Sequence, residues 1–161
     1  MPRGESIAPV KRAVLSLDGG PTDDLVIDFG CKLARSDKTE LVAVYVVEVD
    51  WRHDLGEDLE GQREKASRVL DIAEGMAEKE KVALDAQLLQ ARDVGAALID
   101  EAVAIEADAI VLGLPYRMRF GGDFAMGNTI PYVLKSAPCT VYVVREAVAA
   151  SEARDPGTGR D

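Results

Sequence analysis

Five short apolar runs, separated by segments of helical spacing or polar turns, constrain this chain more than any other feature. The runs are KRAVLSLD (Lys11 to Asp18), LVAVYVV (Leu41 to Val47), ALDAQLLQ (Ala83 to Gln90), ADAIVLG (Ala107 to Gly113) and CTVYVVR (Cys139 to Arg145). After the first run, PTDD reads as a helix start, with Thr22 as N-cap and Asp23 and Asp24 favoured at the positive helix end. Leu25, Phe29 and Leu33 then predict its buried stripe. The longest helical pattern covers 59–81, with Ala66, Val69, Leu70, Ala73, Met76 and Ala77 on its core face. Asp93 caps a third pattern that aligns Val94, Leu98, Ala102 and Ile105, and a fourth runs from Asn128 to Lys135. Strands alternating with helices imply right-handed crossovers. The chain therefore reads as α/β: an open, mainly parallel, five-stranded sheet with helices on both faces. The second run is apolar throughout except for Tyr45, as suits a strand covered on both sides.

Composition fits that reading. Apolar residues make up 47% and aromatics only 5%, so the core must be aliphatic. A chain of 161 residues makes one domain. Its body is expected at 10–146, between a flexible N-terminus at 1–9 and a disordered tail at 147–161, where EARDPGTGRD lacks periodicity. The formal charge of −10 argues against a nucleic-acid or anionic-membrane surface. No apolar run approaches the roughly 20 residues that span a bilayer. MPRGESIAPVKR has no secretory core, so a cytoplasmic location is expected. Cys31 and Cys139 form no framework and read as small buried hydrophobes.

The common catalytic signatures are missing. There is no GxxxxGK[ST] and no GxGxxG after the first strand. The single histidine, His53, sits among Trp51, Arg52 and Asp54 and reads as a solvated loop residue. No catalytic residue and no metal-ligating set is expected.

In parallel sheets ligands sit at the carboxyl ends of the strands, where strand order reverses. Asp18 ends the first strand and precedes Gly19 and Gly20. Its carboxylate can accept from a sugar hydroxyl or an exocyclic amine, and glycine lets backbone approach a ligand. The same residues also suit a plain Asp-Gly turn before a helix cap. After the fourth strand comes LGLPYRMRFGGDFAMGNT, residues 112–129. Arg117 and Arg119 reverse the local charge there, and Gly127-Asn128 opens a helix whose free amides attract anions. By composition this is either an anion site or a long solvated loop.

The segments AVLSLDGGPTDD, LVAVYVV, ADAIVLG and GNTIPYVLKSAPCTVYVV resemble the universal stress protein family over roughly residues 10–145. That resemblance implies a single domain of the adenine nucleotide alpha hydrolase-like fold, with sheet order 3-2-1-4-5, usually dimeric. Many members bind ATP or another adenine nucleotide. In those, the residues matching Ser16, Asp18, Gly19 and the backbone near Val46 hold the adenine end. A loop of pattern G-x2-G-x9-G-[ST] holds ribose and phosphates, its first and last glycines matching Gly113 and Gly127. Tyr116 stands where the second glycine belongs, ten residues instead of nine precede Gly127, and Asn128, followed by Thr129, replaces the serine or threonine. Arg117 and Arg119 are expected to make direct phosphate contacts in compensation.

The resulting expectation is a cytoplasmic adenine-nucleotide-binding regulatory protein. ATP, AMP, cyclic AMP and cyclic di-AMP are all candidate ligands, with Mg2+ accompanying the phosphates and any ATP hydrolysis slow. The alternative is a nucleotide-free dimeric module acting through regulatory protein partners. In either case the last strand is expected at the sheet edge, where Val141 and Val143 would be buried between two copies and Tyr142 and Val144 would face the other way. Neither nucleic acid nor membrane insertion is expected.

Overall fold

The computed structural model describes residues 8–54, 59–115 and 127–148. The predicted flexible terminus and tail fall almost wholly outside the described residues. Strands and helices alternate: β1 (Arg12–Leu17), α1 (Asp23–Asp37), β2 (Glu40–Glu48), α2 (Glu60–Lys79), β3 (Leu84–Ala91), α3 (Val94–Ala104), β4 (Ala109–Leu114), α4 (Thr129–Ser136) and β5 (Thr140–Arg145). All pairings are parallel and the order is β3-β2-β1-β4-β5. Leu15, opposite both Ala43 and Val111, marks the centre of the sheet.

Strand side chains alternate between two separate cores. Ala13, Leu15 and Leu17 of β1 join Leu41, Ala43, Ala109 and Val111 beneath α1 and α2. Val14 joins Val42, Val44, Ile110 and Leu112 beneath α3 and α4. Covering an aliphatic side chain such as Leu15 contributes roughly 2 kcal/mol, which is why the inner strands carry Val, Ile and Leu on both faces.

The buried side of α1 differs from the periodic reading. Val26, Ile27, Gly30 and Cys31 are buried, while Leu25, Phe29 and Leu33 are only partly covered. Gly30 allows this rotation: a Cβ there would lie 2.7 Å from the Leu15 side chain. Phe29 sits at the rim, its ring centroid 5.1 Å from that of Tyr142. Along α2, Ala66, Leu70, Ala73 and Ala77 form the buried stripe as expected, with Val69 and Met76 at its borders. On α3, Asp93 accepts from the Ala96 amide at 2.8 Å, the expected cap. Cys31 is fully buried; Cys139 is half-buried, packed against the α3/α4 core.

One carboxylate ties the start of β1 to the start of β4. Asp108 accepts from the amides of Lys11 (2.7 Å) and Arg12 (3.0 Å), and its own amide donates to the Arg12 carbonyl at 2.8 Å. At the other end of β2, the Arg92 guanidinium donates to the carbonyls of Asp50 and His53 and lies 4.5 Å from the Trp51 ring centroid. Among the described residues no helix is long and apolar enough to cross a membrane.

Candidate functional site

The sheet order reverses between β1 and β4, and a cleft of about 480 Å³ opens at their carboxyl ends. Pockets of roughly 300–1,000 Å³ hold small ligands. Of the sequence-predicted residues, Ser16, Asp18, Val46, Gly113, Gly127, Asn128 and Thr129 line this cleft. Gly19 does not. Tyr116, Arg117 and Arg119 lie outside the described residues.

Gly19 is needed for the turn instead. Its φ is +79°, and its outer side faces Lys65 and Val69 of α2. Gly113 likewise has a packing cause. A Cβ there would collide with the Thr22 hydroxyl and lie 2.8 Å from the Thr22 Cβ. Thr22, expected to cap α1 through its side chain, makes no such bond; it is buried against β4.

The end of β1 is closed by its own carboxylates. Asp23 accepts from the amides of Gly19 (2.7 Å) and Asp18 (3.1 Å), and Asp18 accepts from Gly20 at 2.7 Å. Burial pushes the Asp23 carboxyl up to about 6, the two amides oppose that shift, and the neighbouring Asp18 carboxylate adds to it. The acidic first turn expected of α1 is present; burial of Asp23 and the nearby Asp18 carboxylate add a cost that comes only with the assembled site. Asp18 uses one of its several acceptor positions on Gly20, so it can also receive a hydroxyl or amine donor.

Three helices begin at the cleft, represented in its wall by Asp23 of α1, Val94 of α3 and Thr129 of α4. Helix amino ends carry partial positive charge. At α1 that end is met by Asp23 and Asp24, and at α3 by the Asp93 cap. The first turn of α4 has no acidic residue, and Asn128 makes no side-chain cap. Among the described residues, the Thr129 and Ile130 amides of that turn meet no acidic side chain; Pro131, the third residue, has no N–H. Among the described residues, the cleft thus has a carboxylate end at β1 and a helix amino end without carboxylates at α4.

Sequence reasoning passed over Thr22, Asp23, Tyr45 and Val94 as part of this wall. Asp23 had a usable signal, a second carboxylate five residues beyond Asp18 across a glycine turn. Tyr45, the one break in an apolar strand, had another. Val94 had none beyond its place after a cap.

A parallel sheet of order 3-2-1-4-5, with its cleft at the β1/β4 reversal, defines an α/β protein of the adenine nucleotide alpha hydrolase-like fold. The universal stress protein family model matches residues 9–145, and the chain belongs to that family. It is similar in structure to a universal stress protein family member from Burkholderia pseudomallei, with 27% identity, 83% of this chain and 95% of that one covered, and TM-score 0.64. It is similar to the Archaeoglobus fulgidus universal stress protein in complex with dAMP, with 20% identity, coverage of 84% and 98%, and TM-score 0.65. A universal stress protein in complex with cAMP matches at 15% identity, with coverage of 86% and 98% and TM-score 0.65. No curated protein sequence matches the chain.

Proposed function

We propose that this chain is a cytoplasmic regulatory protein of the stress response that binds an adenine nucleotide in the β1/β4 cleft. The observation that carries the reading is the polarity of that cleft. Asp18 offers an acceptor at one end, while the first turn of α4, which carries no acidic residue, offers the Thr129 and Ile130 amides at the other. An adenosine phosphate has the complementary order of groups. The dAMP and cAMP complexes of relatives with this fold support the same ligand class. ATP, AMP, cyclic AMP and cyclic di-AMP share the recognised adenosine, and Mg2+ would enter with the phosphates of the larger ones.

Binding rather than turnover is the proposed activity. The described lining residues include no histidine, lysine or arginine, and both lining carboxylates are engaged at the β1 end. Arg117 and Arg119 are proposed to complete the phosphate end. The protein is further proposed to act as a homodimer joined along β5, a sheet edge where Val143 is 38% exposed.

Calorimetric titration of adenosine, AMP and ATP tests the reading. Asp18→Ala should weaken all three alike. Replacing Arg117 and Arg119 with alanine should weaken ATP most and adenosine least, by about 1.5 to 3 kcal/mol for each lost charged contact. Equal losses for adenosine and ATP would remove the arginines from the site. No binding of any of the three to the native protein would leave the nucleotide-free dimeric module.

A further inference from the structure

At the turn between β1 and α1, the amides of Asp18 and Gly19 both point at one carboxyl group. Successive amides of this kind, in a turn with a left-handed glycine, form a concavity that holds anions. Gly19 supplies that left-handed residue, with φ +79°. The amino end of α1 adds its partial positive charge to the same spot. In other proteins such a concavity receives a phosphate or another external anion. Here it is filled from within by Asp23, which also lines the cleft. The third amide of the turn, Gly20, is taken by Asp18.

We propose that Asp23 is a specificity-determining residue: its carboxylate occupies the anion position at the β1 turn and biases the cleft towards adenine ligands carrying few phosphates. This rests on the adenine-nucleotide reading and deepens it. With Asp23 in place, the described part of the cleft offers an anion the α4 end, and each additional phosphate charge faces the Asp18 and Asp23 carboxylates at the β1 end of a cleft of about 480 Å³. Like charges at such separations repel, and the effect grows where solvent is displaced by ligand. An uncharged adenosine does not experience this term.

The test compares native protein, Asp23→Asn and Asp23→Ser, each titrated with adenosine, AMP and ATP by calorimetry at pH 7.5. Asparagine keeps an acceptor for one amide without the charge, and serine frees more space should the asparagine variant fold poorly. The expected result is a gain on the order of tenfold for ATP, a smaller gain for AMP, and less than about twofold change for adenosine. Equal changes for the three ligands, or a loss for ATP, would overturn the proposal. A second arm needs no nucleotide. Inorganic phosphate is titrated while the Asp18 and Gly19 amide resonances are followed by NMR. Saturable shifts in Asp23→Asn and none in the native protein support the internal-anion role, even if adenosine, AMP and ATP all fail to bind. No difference between the two proteins rejects that role. Failure of the adenine reading alone would appear as absent nucleotide binding with the phosphate result intact.

Discussion

The Gly19 amide donates to the Asp23 carboxylate at 2.7 Å, yet the same carboxyl is pushed up to about 6. Desolvation, together with the neighbouring Asp18 carboxylate, therefore outweighs two hydrogen bonds. Because the folded-state value lies above the ordinary 3.8, the protonated form is favoured by folding. The stability this contributes is fully present below pH about 4 and is lost as pH rises through about 6. The melting temperature of the native protein minus that of Asp23→Asn should accordingly fall between pH 4 and 7 and level off above. Solvent in the open cleft screens the effect to on the order of 1 kcal/mol, or about 2–4 °C. Thermal melts of both proteins across that range provide the check. An offset independent of pH would show that Asp23 titrates normally.

Gly113→Ala should destabilise the fold by about 1–3 kcal/mol, the usual result of overfilling a packed site. The added methyl group would strike Thr22, a residue only 2% exposed. Thr22→Ala should restore part of the loss in the double variant. Urea unfolding of the four proteins gives the coupling between the two positions. Additive losses would place the strain elsewhere.

Arg92→Ala should loosen the turn after β2. The guanidinium bonds the carbonyls of Asp50 and His53 while lying against Trp51, which is 82% exposed. A cation beside an exposed ring contributes about 0.5–1 kcal/mol, so the loss of stability should be small. The local effect should be clear, because Trp51 is the only tryptophan in the chain. Its fluorescence anisotropy should drop, and Arg92→Lys should not fully restore it, since a compact ammonium cannot lie flat against the indole as the planar guanidinium does. Unchanged anisotropy would show that the turn holds without this side chain.

Val143→Lys should convert a β5-joined dimer into monomers in light scattering while leaving the far-UV circular dichroism of the fold unchanged. Val143 is largely outside the protein's own cores, whereas Val141 packs against the α3/α4 core. Charge at Val141 would confound assembly with folding. A dimer that survives Val143→Lys would place the interface elsewhere.

The order of elements was legible because each strand and helix carries its own period. Asp93 was readable as a cap because its partner, the Ala96 amide, is three residues away. The rotation of α1 was not readable. Leu25, Val26 and Ile27 are adjacent apolar residues, and the choice among them depends on Gly30 meeting Leu15 in another element. Arg92 was hidden for a related reason: its carbonyl partners lie about forty residues earlier, at separations of 42 and 39. Within the cleft, residues at strand ends were found from topology. Asp23 was placed in the right turn, but its burial was not readable, since burial is a property of the assembled site.

The clasp that Asp108 makes on Lys11 and Arg12 also sets a timetable for synthesis. Arg12 meets Glu40 after a separation of 28 residues, but it meets Asp108 only after 96. A nascent chain can thus cover one side of β1 early, while the other stays without a neighbour until β4 has left the ribosome. At translation rates of roughly 5–20 residues per second, that interval is on the order of ten seconds. The most enclosed strand of the finished protein spends that time as an unfinished edge, open to pairing with other chains. The Asp108 carboxylate arrives just ahead of β4, so it can set the register of the strand that ends this exposure.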